Sequence, residues 1–294
     1  MLMTKRKIKD LITVIGIYLL AFGIGALVAK GIADVILRVF VFDISATLAT
    51  YIFSVALGNS SVYDAYWSVL PMLVSVYLFS LTGAWSVWHV IFLVVFNIWG
   101  LRLTLNWVMN FTGFDYEDWR YRDFRAGNSP VMWQIINFFG IHLVPTLVVF
   151  AGMLPLFSLA ANDLGPLSLI GSALVLSGVA LEFFADRQMR SFLRGSKERK
   201  TCRKGLWKLS RHPNYLGENL VWIGTFAAVV FYDPSHWYYG IGVVLMLSLF
   251  LFISIPMMEK RQLERRPDYA DYMRTTSAFL LLPPKKGTDS NASF

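Results

Sequence analysis

The chain has 294 residues and a formal net charge of +8, and 56% of its residues are hydrophobic while only 16% are charged. Soluble domains contain about 45–50% apolar and about 25% charged residues, so this composition excludes an ordinary soluble domain. The apolar residues form long uncharged runs, and residues 65–101 alone exceed the roughly 20 residues that cross a bilayer once. Because every backbone amide in lipid needs an internal partner, the sequence predicts an all-α, polytopic membrane bundle of about seven or eight helices.

The order of the apolar runs predicts the spans. The first run follows four basic residues, as in a signal peptide, but it is longer than the usual apolar region of about 7–15 residues. No clean cleavage site follows it, so it is interpreted as a retained span. One early span could instead be a re-entrant pair. The predicted spans are 11–29, 34–58, 65–82, 85–108, 130–151, 165–188, 213–232 and 235–258.

Basic residues predict the orientation. Of the 27 Lys and Arg residues, 24 lie before the first span, in 110–129, in 187–212 or after residue 258. Eight spans place these four segments on one side, which the positive-inside rule makes cytoplasmic. Both termini are then expected in the cytoplasm, at a bacterial inner membrane or its equivalent. The topology explains the net charge, so no nucleic-acid partner is expected.

Few residues favour a metal site or a nucleotide-binding loop. The single cysteine, Cys202, lies in a predicted cytoplasmic loop and predicts no internal disulfide. Four histidines lack the paired spacing of metal ligands, so no metal is expected. The chain has no glycine-rich dinucleotide or phosphate loop, and a nucleotide would therefore have to bind to helices.

The polar residues divide the chain into three parts. Residues 1–64 are predicted to be plain N-terminal transmembrane helices, and residues 65–284 carry polar side chains near the predicted cytoplasmic ends of their spans. The last residues, 285–294, are predicted to be a disordered tail. The connector 110–129 is predicted to fold back at the membrane interface; the alternative is an aromatic belt with solvated charges.

The sequence LSRHPNYLGENL concentrates polar residues at the start of the seventh span. Pro213 suits the first turn of a helix, whose free N–H groups and partial positive charge favour anions. Arg211 and His212 precede it, so the stretch predicts an anion site, most naturally for phosphate. Asn214 and Glu218 share one helix face, and Glu218 needs a buried donor. The alternative is a helix cap with a structural ion pair.

Three further groups could line the same cavity. On the sixth span, Glu182, Asp186 and Arg190 recur every four residues and form one stripe; the alternative is an Asp186–Arg190 pair that ends the span. Arg102 and Asn106 lie one turn apart at the end of the fourth span, although Arg102 could simply reach the interface. Tyr121 follows in the connector. Tyr269 in the C-terminal region could cover a base, or lie on a solvated amphipathic helix.

These motifs resemble a known family. The string RHPNYLGE, the upstream Glu182-x-x-x-Asp186 and the Tyr-x-x-Tyr tail resemble the C-terminal half of the steroid 5α-reductase family. The strings GLRLT and EDWRY resemble its large bacterial branch of unassigned function, DUF1295. The resemblance covers about residues 64–284. The RHPNYLG string is common to a superfamily that includes sterol reductases and methyltransferases, which bind S-adenosylmethionine with a similar pattern and a later glutamate.

The resemblance implies reduction by NADPH of a carbon–carbon double bond, in a lipid or steroid-like substrate held by the apolar spans. Asp186, Asn214 and Glu218 would bind the nicotinamide and ribose. Arg102, Arg190 and Arg211 are the candidates for binding the phosphates. The residues expected to bind the cofactor are Arg102, Asn106, Tyr121, Glu182, Asp186, Arg190, Arg211, His212, Asn214, Tyr215, Glu218 and Tyr269.

The proton donor departs from the family pattern. Steroid-reducing members carry a tyrosine three residues before the arginine that matches Arg102, and here that position is Trp99. An indole N–H donates a hydrogen bond but delivers no proton at neutral pH. Tyr66, Tyr77 and His89 are the candidate catalytic acids on nearby spans, and packing is the alternative role of each.

Two other functions stay open at this stage. One is a membrane methyltransferase of the isoprenylcysteine carboxyl methyltransferase type, which the arginines disfavour because S-adenosylmethionine carries no phosphate. The other is a non-catalytic, lipid-binding membrane protein, which Trp99 keeps open. The expected partners are membrane lipid and a hydrophobic small molecule, and the sequence leaves the oligomeric state open.

Overall fold

A computed structural model describes residues 4–83, 85–195 and 200–285. Helices form nearly all the regular structure of these ranges, where the one strand-like contact is an isolated bridge between Ser210 and Ser277. Seven helices in the described part are long and apolar enough to cross a membrane. The prediction of an all-α, polytopic membrane protein is therefore confirmed. The predicted tail begins at Lys285, whose N–H donates to Thr275 O at 2.9 Å; the rest of it lies outside the described residues.

The chain divides into two compact units, the first up to Pro166 and the second from Leu167 onward. The predicted division at residue 64 lies within the first unit. It separates plain helices from the part of the chain that carries the predicted site residues, and this division of roles stays a prediction. The helices of the first unit are α1 Lys5–Val28, α2 Val35–Leu57, α3 Tyr66–Thr82, α4 Val87–Asn110, α5 Trp119–Ala126, α6 Pro130–Ile135 and α7 Val144–Ala161, with a π-helical segment Ile136–Leu143 between α6 and α7.

The helices of the second unit follow two patterns. Long helices form its apolar part, and short ones lie in the loops that hold the polar residues. They are α8 Ser168–Gly195, α9 Leu206–Leu209, α10 Pro213–Val230, α11 Gly240–Leu249, α12 Ile255–Arg265 and α13 Tyr269–Thr275, with a π-helical segment Phe250–Ser254 between α11 and α12. Helix α10, which was predicted as the seventh span, is not among the seven candidates, and three polar residues in its first two turns lower its hydropathy.

In the first unit, the connector before and within α5 packs onto the turn between α2 and α3. The Nδ2 of Asn59 donates to Phe114 O at 3.0 Å, and the N–H of Ser60 donates to the Glu117 carboxylate at 2.8 Å. The hydroxyl of Tyr121 donates to Asp64 Oδ1 at 2.6 Å. The connector thus folds back onto the helices of its own unit, which closes one end of α2 and α3.

In the second unit, small residues bring α8 and α10 into backbone contact. A Cβ placed on Gly171 would lie 2.4 Å from the carbonyl oxygen of Gly224 and from the backbone nitrogen of Ala228. Two turns further along α8, a Cβ on Gly178 would lie 2.5 Å from Gly217 O. Only glycine allows so close an approach, and the two helices are therefore locked side by side along several turns.

The C-terminal segment 266–285 folds over the loop that precedes α10. The N–H of Arg211 donates to Ser277 O at 2.9 Å, and the N–H of Leu282 donates to Leu209 O at 3.1 Å. At its start, Asp268 accepts from the N–H of Thr201 at 3.0 Å and from its hydroxyl at 2.7 Å. These contacts place the segment directly beside the start of α10.

The Asp268 contact should make the C-terminal segment sensitive to acid. Partial burial acts to raise the pKa of Asp268, but the hydrogen bonds from Thr201 outweigh it and hold the pKa below its usual value. A carboxyl whose pKa is lowered on folding stabilises the protein above its unfolded pKa and loses that effect as the pH falls through the folded value. Asp268→Asn should therefore lower the thermal midpoint at pH 7, and its difference from the wild type should close below about pH 3.9.

The measurement is thermal unfolding of both proteins in detergent between pH 7 and pH 2.5. Asp163→Asn, at an exposed carboxylate of the first unit, is the control and should match the wild type at every pH. A constant difference between Asp268→Asn and wild type down to pH 2.5 would contradict the role given to Asp268.

Candidate functional site

Arg211 and His212 share one carboxylate at the start of α10. The Nε of Arg211 donates to Glu259 Oε1 at 2.6 Å, and the same oxygen lies 3.2 Å from His212 Nε2. Nη1 of Arg211 also donates to Met273 O at 2.9 Å and to Thr276 O. All three ionisable side chains are buried. The guanidinium predicted to bind phosphate is therefore already neutralised, and it ties α12 and the C-terminal segment to α10.

Two further buried carboxylates lie on the paired helices α8 and α10. Glu218 is 4% exposed and accepts from the indole N–H of Trp222 at 2.8 Å, so the donor that sequence analysis required is supplied within α10. Glu182 is 2% exposed and packs on α10 at Gly217, where a Cβ would lie 2.5 Å from Glu182 Cγ. Glu182 and Glu218 consequently occupy the same level of the α8–α10 pair.

The other predicted members of the second unit surround this level. Asp186 and Arg190 continue the α8 stripe by one and two turns, and both are partly exposed, as are Asn214 and Tyr215 at the start of α10. The ring of Tyr215 stacks on His212 with a centroid distance of 5.1 Å. Tyr269 is buried. The predicted site residues of the second unit therefore lie on three elements, namely the end of α8, the start of α10 and α13.

Helix α9 holds these three elements together. The indole N–H of Trp207 donates to Ala185 O at 2.9 Å, and the N–H of Leu206 donates to Gln188 Oε1 at 2.8 Å. The hydroxyl of Tyr272, on α13, donates to the backbone of Trp207 and, at 3.2 Å, to Ser210 O. The end of α8, the turn before α10 and the C-terminal segment therefore form one polar assembly at one end of the second unit.

Three predicted cofactor residues lie in the first unit. Arg102 and Asn106 are partly exposed in the last turns of α4, and Asn106 O accepts from Asn110 Nδ2 at 2.9 Å. Tyr121 is buried, and its hydroxyl is held by Asp64 as described above. Their roles in binding a cofactor stay predictions.

The three candidate acids do not converge within the first unit. Tyr66 begins α3, Tyr77 lies eleven residues later, about 16 Å along the same helix, and His89 lies near the start of α4. The hydroxyl of Tyr77 accepts from Arg38 Nη1 at 3.0 Å. His89 caps α4: its Nδ1 accepts from the N–H of Ser86 at 3.1 Å, and its Nε2 lies 3.1 Å from Asn162 O.

Tyr66 differs from the other two because it has a carboxyl partner. Its hydroxyl donates to Asp43 Oδ1 at 2.9 Å, and both side chains are fully buried. Thr47 lies 3.5 Å from the same oxygen and 2.9 Å from Thr146, which in turn lies 2.7 Å from the hydroxyl of Tyr63. The first unit therefore contains a connected line of five oxygen-bearing side chains, which lie on α2, α3, α7 and the short 3-10 helix Ser60–Tyr63.

Two buried acidic residues, Glu259 and Asp43, were not among the predicted site residues. Glu259 begins a charged stretch of α12, a pattern that is typical of a solvated helix. Asp43 lies in the interior of α2. The rule that an acidic residue within a span marks a site would have found it.

Comparison with known proteins identifies the family. A family model described as a protein of unknown function, DUF1295, matches residues 50–276. Searches among curated proteins and among solved structures gave no match. The match runs from the middle of α2 to α13 and includes every predicted site residue. Because it covers well over half of the chain, the protein belongs to the DUF1295 family.

Proposed function

We propose that the protein is an integral-membrane reductase that uses NADPH to reduce a carbon–carbon double bond of a lipid or steroid-like substrate. The observation that carries this proposal is the pair of buried carboxylates, Glu182 and Glu218, at one level of a helix pair and close to Asn214. Ionisable groups in membrane helices are costly, and they mark functional sites by default. Carboxylate and amide oxygens accept hydrogen bonds from carboxamide N–H groups and ribose hydroxyls.

The residues present fit the nicotinamide and ribose better than the phosphates. Asp186, Asn214 and Glu218 would hold the donor-rich part of the cofactor, which supplies the hydride. Asn219 adds a buried Oδ1 that has no donor among the described residues. Arg190 would contribute to phosphate binding, whereas Arg211 would position the C-terminal segment through its pair with Glu259.

We also propose a proton donor from the three candidate acids. Among the three candidates, we retain Tyr66, because its hydroxyl is the one that a carboxyl neighbour, Asp43, holds in place. His89 has both ring nitrogens engaged in capping α4 and in a contact with Asn162, and packing is its better supported role.

A second candidate function is a membrane methyltransferase that uses S-adenosylmethionine. The specific observation that favours it is the Arg211–Glu259 pair at 2.6 Å. The number of arginines near the site disfavours a ligand without phosphate, and the pair removes Arg211 from that number. Glu259 follows the RHPNYLG string, and the similar methyltransferases also carry a later glutamate. The steroid 5α-reductase likeness and the methyltransferase likeness are both proposals, and ligand binding separates them.

The test is the thermal stability of the purified protein in detergent with NADPH or with S-adenosylmethionine. A ligand at 100 times its dissociation constant stabilises by about 2.7 kcal/mol, so NADPH should raise the midpoint by several degrees. Glu218→Gln and Asn214→Ala should lose this shift, while Glu264→Gln, at an exposed position of α12, should retain it. Because NADPH is a cytoplasmic solute, it should protect the protein in sealed inside-out vesicles and not in right-side-out vesicles.

The other outcomes decide between the alternatives. Protection by S-adenosylmethionine but not by NADPH would replace the reductase with the methyltransferase. Protection by neither ligand would favour a lipid-binding protein without catalytic activity. NADPH protection that survives in both Glu218→Gln and Asn214→Ala would leave the cofactor in place but refute the site.

A further inference from the structure

A groove opens on the first unit between α2 and the beginning of the fifth span. It has a volume of about 610 Å³, within the range of about 300–1,000 Å³ that is usual for small-molecule sites. Part of its wall is the π-helical segment Ile136–Leu143, and such interruptions occur frequently at functional sites. The side chains that make the groove apolar are Leu48, Tyr51, Val131, Ile135, Phe138 and Phe139.

A smaller polar hollow of about 330 Å³ continues from the groove. Pro130 and Gln134 line both, so the two are contiguous. Among the described residues that line either one, Arg125 alone carries a charge. The polar hollow is completed mainly by Ser54, Gly58, Asn128, Trp133 and Asn137.

Arg125 is held in place but keeps an unused donor. Its Nη1 donates to Gly58 O at 3.0 Å, its Nη2 donates to Glu117 at 2.9 Å, and its guanidinium lies 4.8 Å from the centre of the Trp133 ring. Its Nε is buried and has no acceptor among the described residues, whereas 39% of the whole side chain is exposed and each Nη has a second N–H. An oriented guanidinium with a remaining N–H is suited to an oxyanion, since charge-assisted hydrogen bonds are the strong ones.

The two hollows have the depth and polarity of one membrane leaflet. The polar hollow lies where α2 ends at Leu57 and where the fifth candidate span begins at Pro130, which is the level expected for headgroups. From Pro130 to Phe139 the groove follows nine helical steps, or about 13 Å. Half of a hydrocarbon core of about 30 Å is about 15 Å, so the groove descends to about the level of the bilayer centre.

We propose that this site binds one glycerophospholipid, with an acyl chain in the groove and the phosphate at Arg125. The apolar wall, the oriented guanidinium at the polar end and their order along the membrane normal all match this one class of ligand. A soluble anion would leave the groove empty, and a hydrocarbon would leave the Arg125 donor unmet. The site belongs to the first unit, and the inference does not depend on the proposed catalytic function.

The experiment is native mass spectrometry of delipidated protein in detergent with one added lipid. The probes are palmitoyl-oleoyl-phosphatidylglycerol, palmitoyl-oleoyl-phosphatidylcholine and palmitoyl-oleoyl-glycerol, which share their chains but differ in the headgroup. The expected result is one retained molecule of either phospholipid and at least tenfold less retention of the diacylglycerol. Equal retention of all three would refute the phosphate contact.

Two matched pairs of variants locate the lipid. Arg125→Lys keeps the charge but removes Nε and the planar fork, and it should lower phospholipid retention about tenfold, unlike Arg122→Lys at an exposed arginine. Leu48→Trp should fill the groove and lower the retention of every lipid. Ile52→Trp is its control, because Ile52 lies one turn further along α2, has a similar exposure and does not line the groove.

The outcomes remain decisive if one variant misfolds. The thermal midpoint of each variant shows whether it folds, and the Leu48→Trp and Ile52→Trp pair tests the groove without changing Arg125. Equal retention by these two variants would overturn the proposal. The wild type could instead appear in the spectrum as a dimer without bound lipid. If Leu48→Trp then abolished the dimer, the groove would be assigned to a second copy of the chain.

Discussion

Gly171→Ala should lower the thermal midpoint of the protein by several degrees, although alanine is the better helix former. The new Cβ would lie 2.4 Å from Gly224 O, from Ala228 N and from Ala228 Cβ. Two of these atoms are backbone and the third is fixed to it, so no side-chain rotation can relieve the overlap. Overpacking of this kind costs about 1–3 kcal/mol and occasionally more, and here it must be met by moving one helix away from the other.

The control is Gly195→Ala at the end of the same helix. Nothing lies within 4 Å of a Cβ at that position, and replacing glycine by alanine in a helix is worth up to about 1 kcal/mol. The two variants should therefore shift the thermal midpoint in opposite directions in one assay in detergent. If Gly171→Ala were as stable as Gly195→Ala, the backbones of α8 and α10 would not be in contact at Gly171.

The same helix spacing carries the candidate site. Glu182 packs on Gly217, the same residue of α10 that Gly178 approaches, and its Cγ lies 2.5 Å from where a Cβ of residue 217 would stand. If α8 moves outward in Gly171→Ala, Glu182 moves with it. Folded Gly171→Ala protein should then show a smaller stabilisation by the cofactor, measured as in the ligand test above.

The fold was accessible from the sequence because lipid leaves the backbone few choices. Long apolar runs can only be helices, and the positions of the runs located every long helix that the structure describes. The ends were harder to predict. The fifth span was predicted to end at residue 151, but α7 continues to Ala161. Apolar composition alone does not show where a helix ends. It also does not reveal a π-helical segment within a predicted span.

The site was only partly accessible, for a reason that depends on distance along the chain. Spacings of three or four residues reveal what shares a helix face, so the stripe on α8 and the polar start of α10 were found. Arg211 and Glu259 are 48 residues apart. No local pattern shows that two such charges meet, and Arg211 was therefore predicted to face a phosphate when it has a carboxylate of its own.

Glu259→Gln should strongly destabilise the assembly of α10, α12 and the C-terminal segment. The carboxylate lies 2.6 Å from Arg211 Nε and 3.2 Å from His212 Nε2, and the side chains of Arg211 and Glu259 are only 9% and 11% exposed. Removing one partner of a buried ion pair leaves a buried charge uncompensated and costs about 3–5 kcal/mol. The double variant Arg211→Met, Glu259→Leu should lose less than the sum of the two single variants, because the charges are removed together.

Trypsin reports this change directly, since the Arg265–Arg266 bond joins α12 to the C-terminal segment. Glu259→Gln should be cleaved there much faster than the wild type under native conditions. Glu264→Gln, an exposed carboxylate on the same helix, should be cleaved at the rate of the wild type. Equal cleavage of both variants would mean that the Arg211–Glu259 pair does not anchor the segment.

The sign of a ligand effect in folded Glu259→Gln separates two roles for Arg211. If Arg211 binds a phosphate of NADPH, Glu259 competes with the cofactor, and removing its charge should tighten NADPH binding even as the free protein becomes less stable. If Arg211 serves only to position the C-terminal segment through contacts with Met273 O and Thr276 O, loss of Glu259 should weaken NADPH binding. A direct titration with NADPH, performed below the melting temperature of the variant, measures this sign independently of stability.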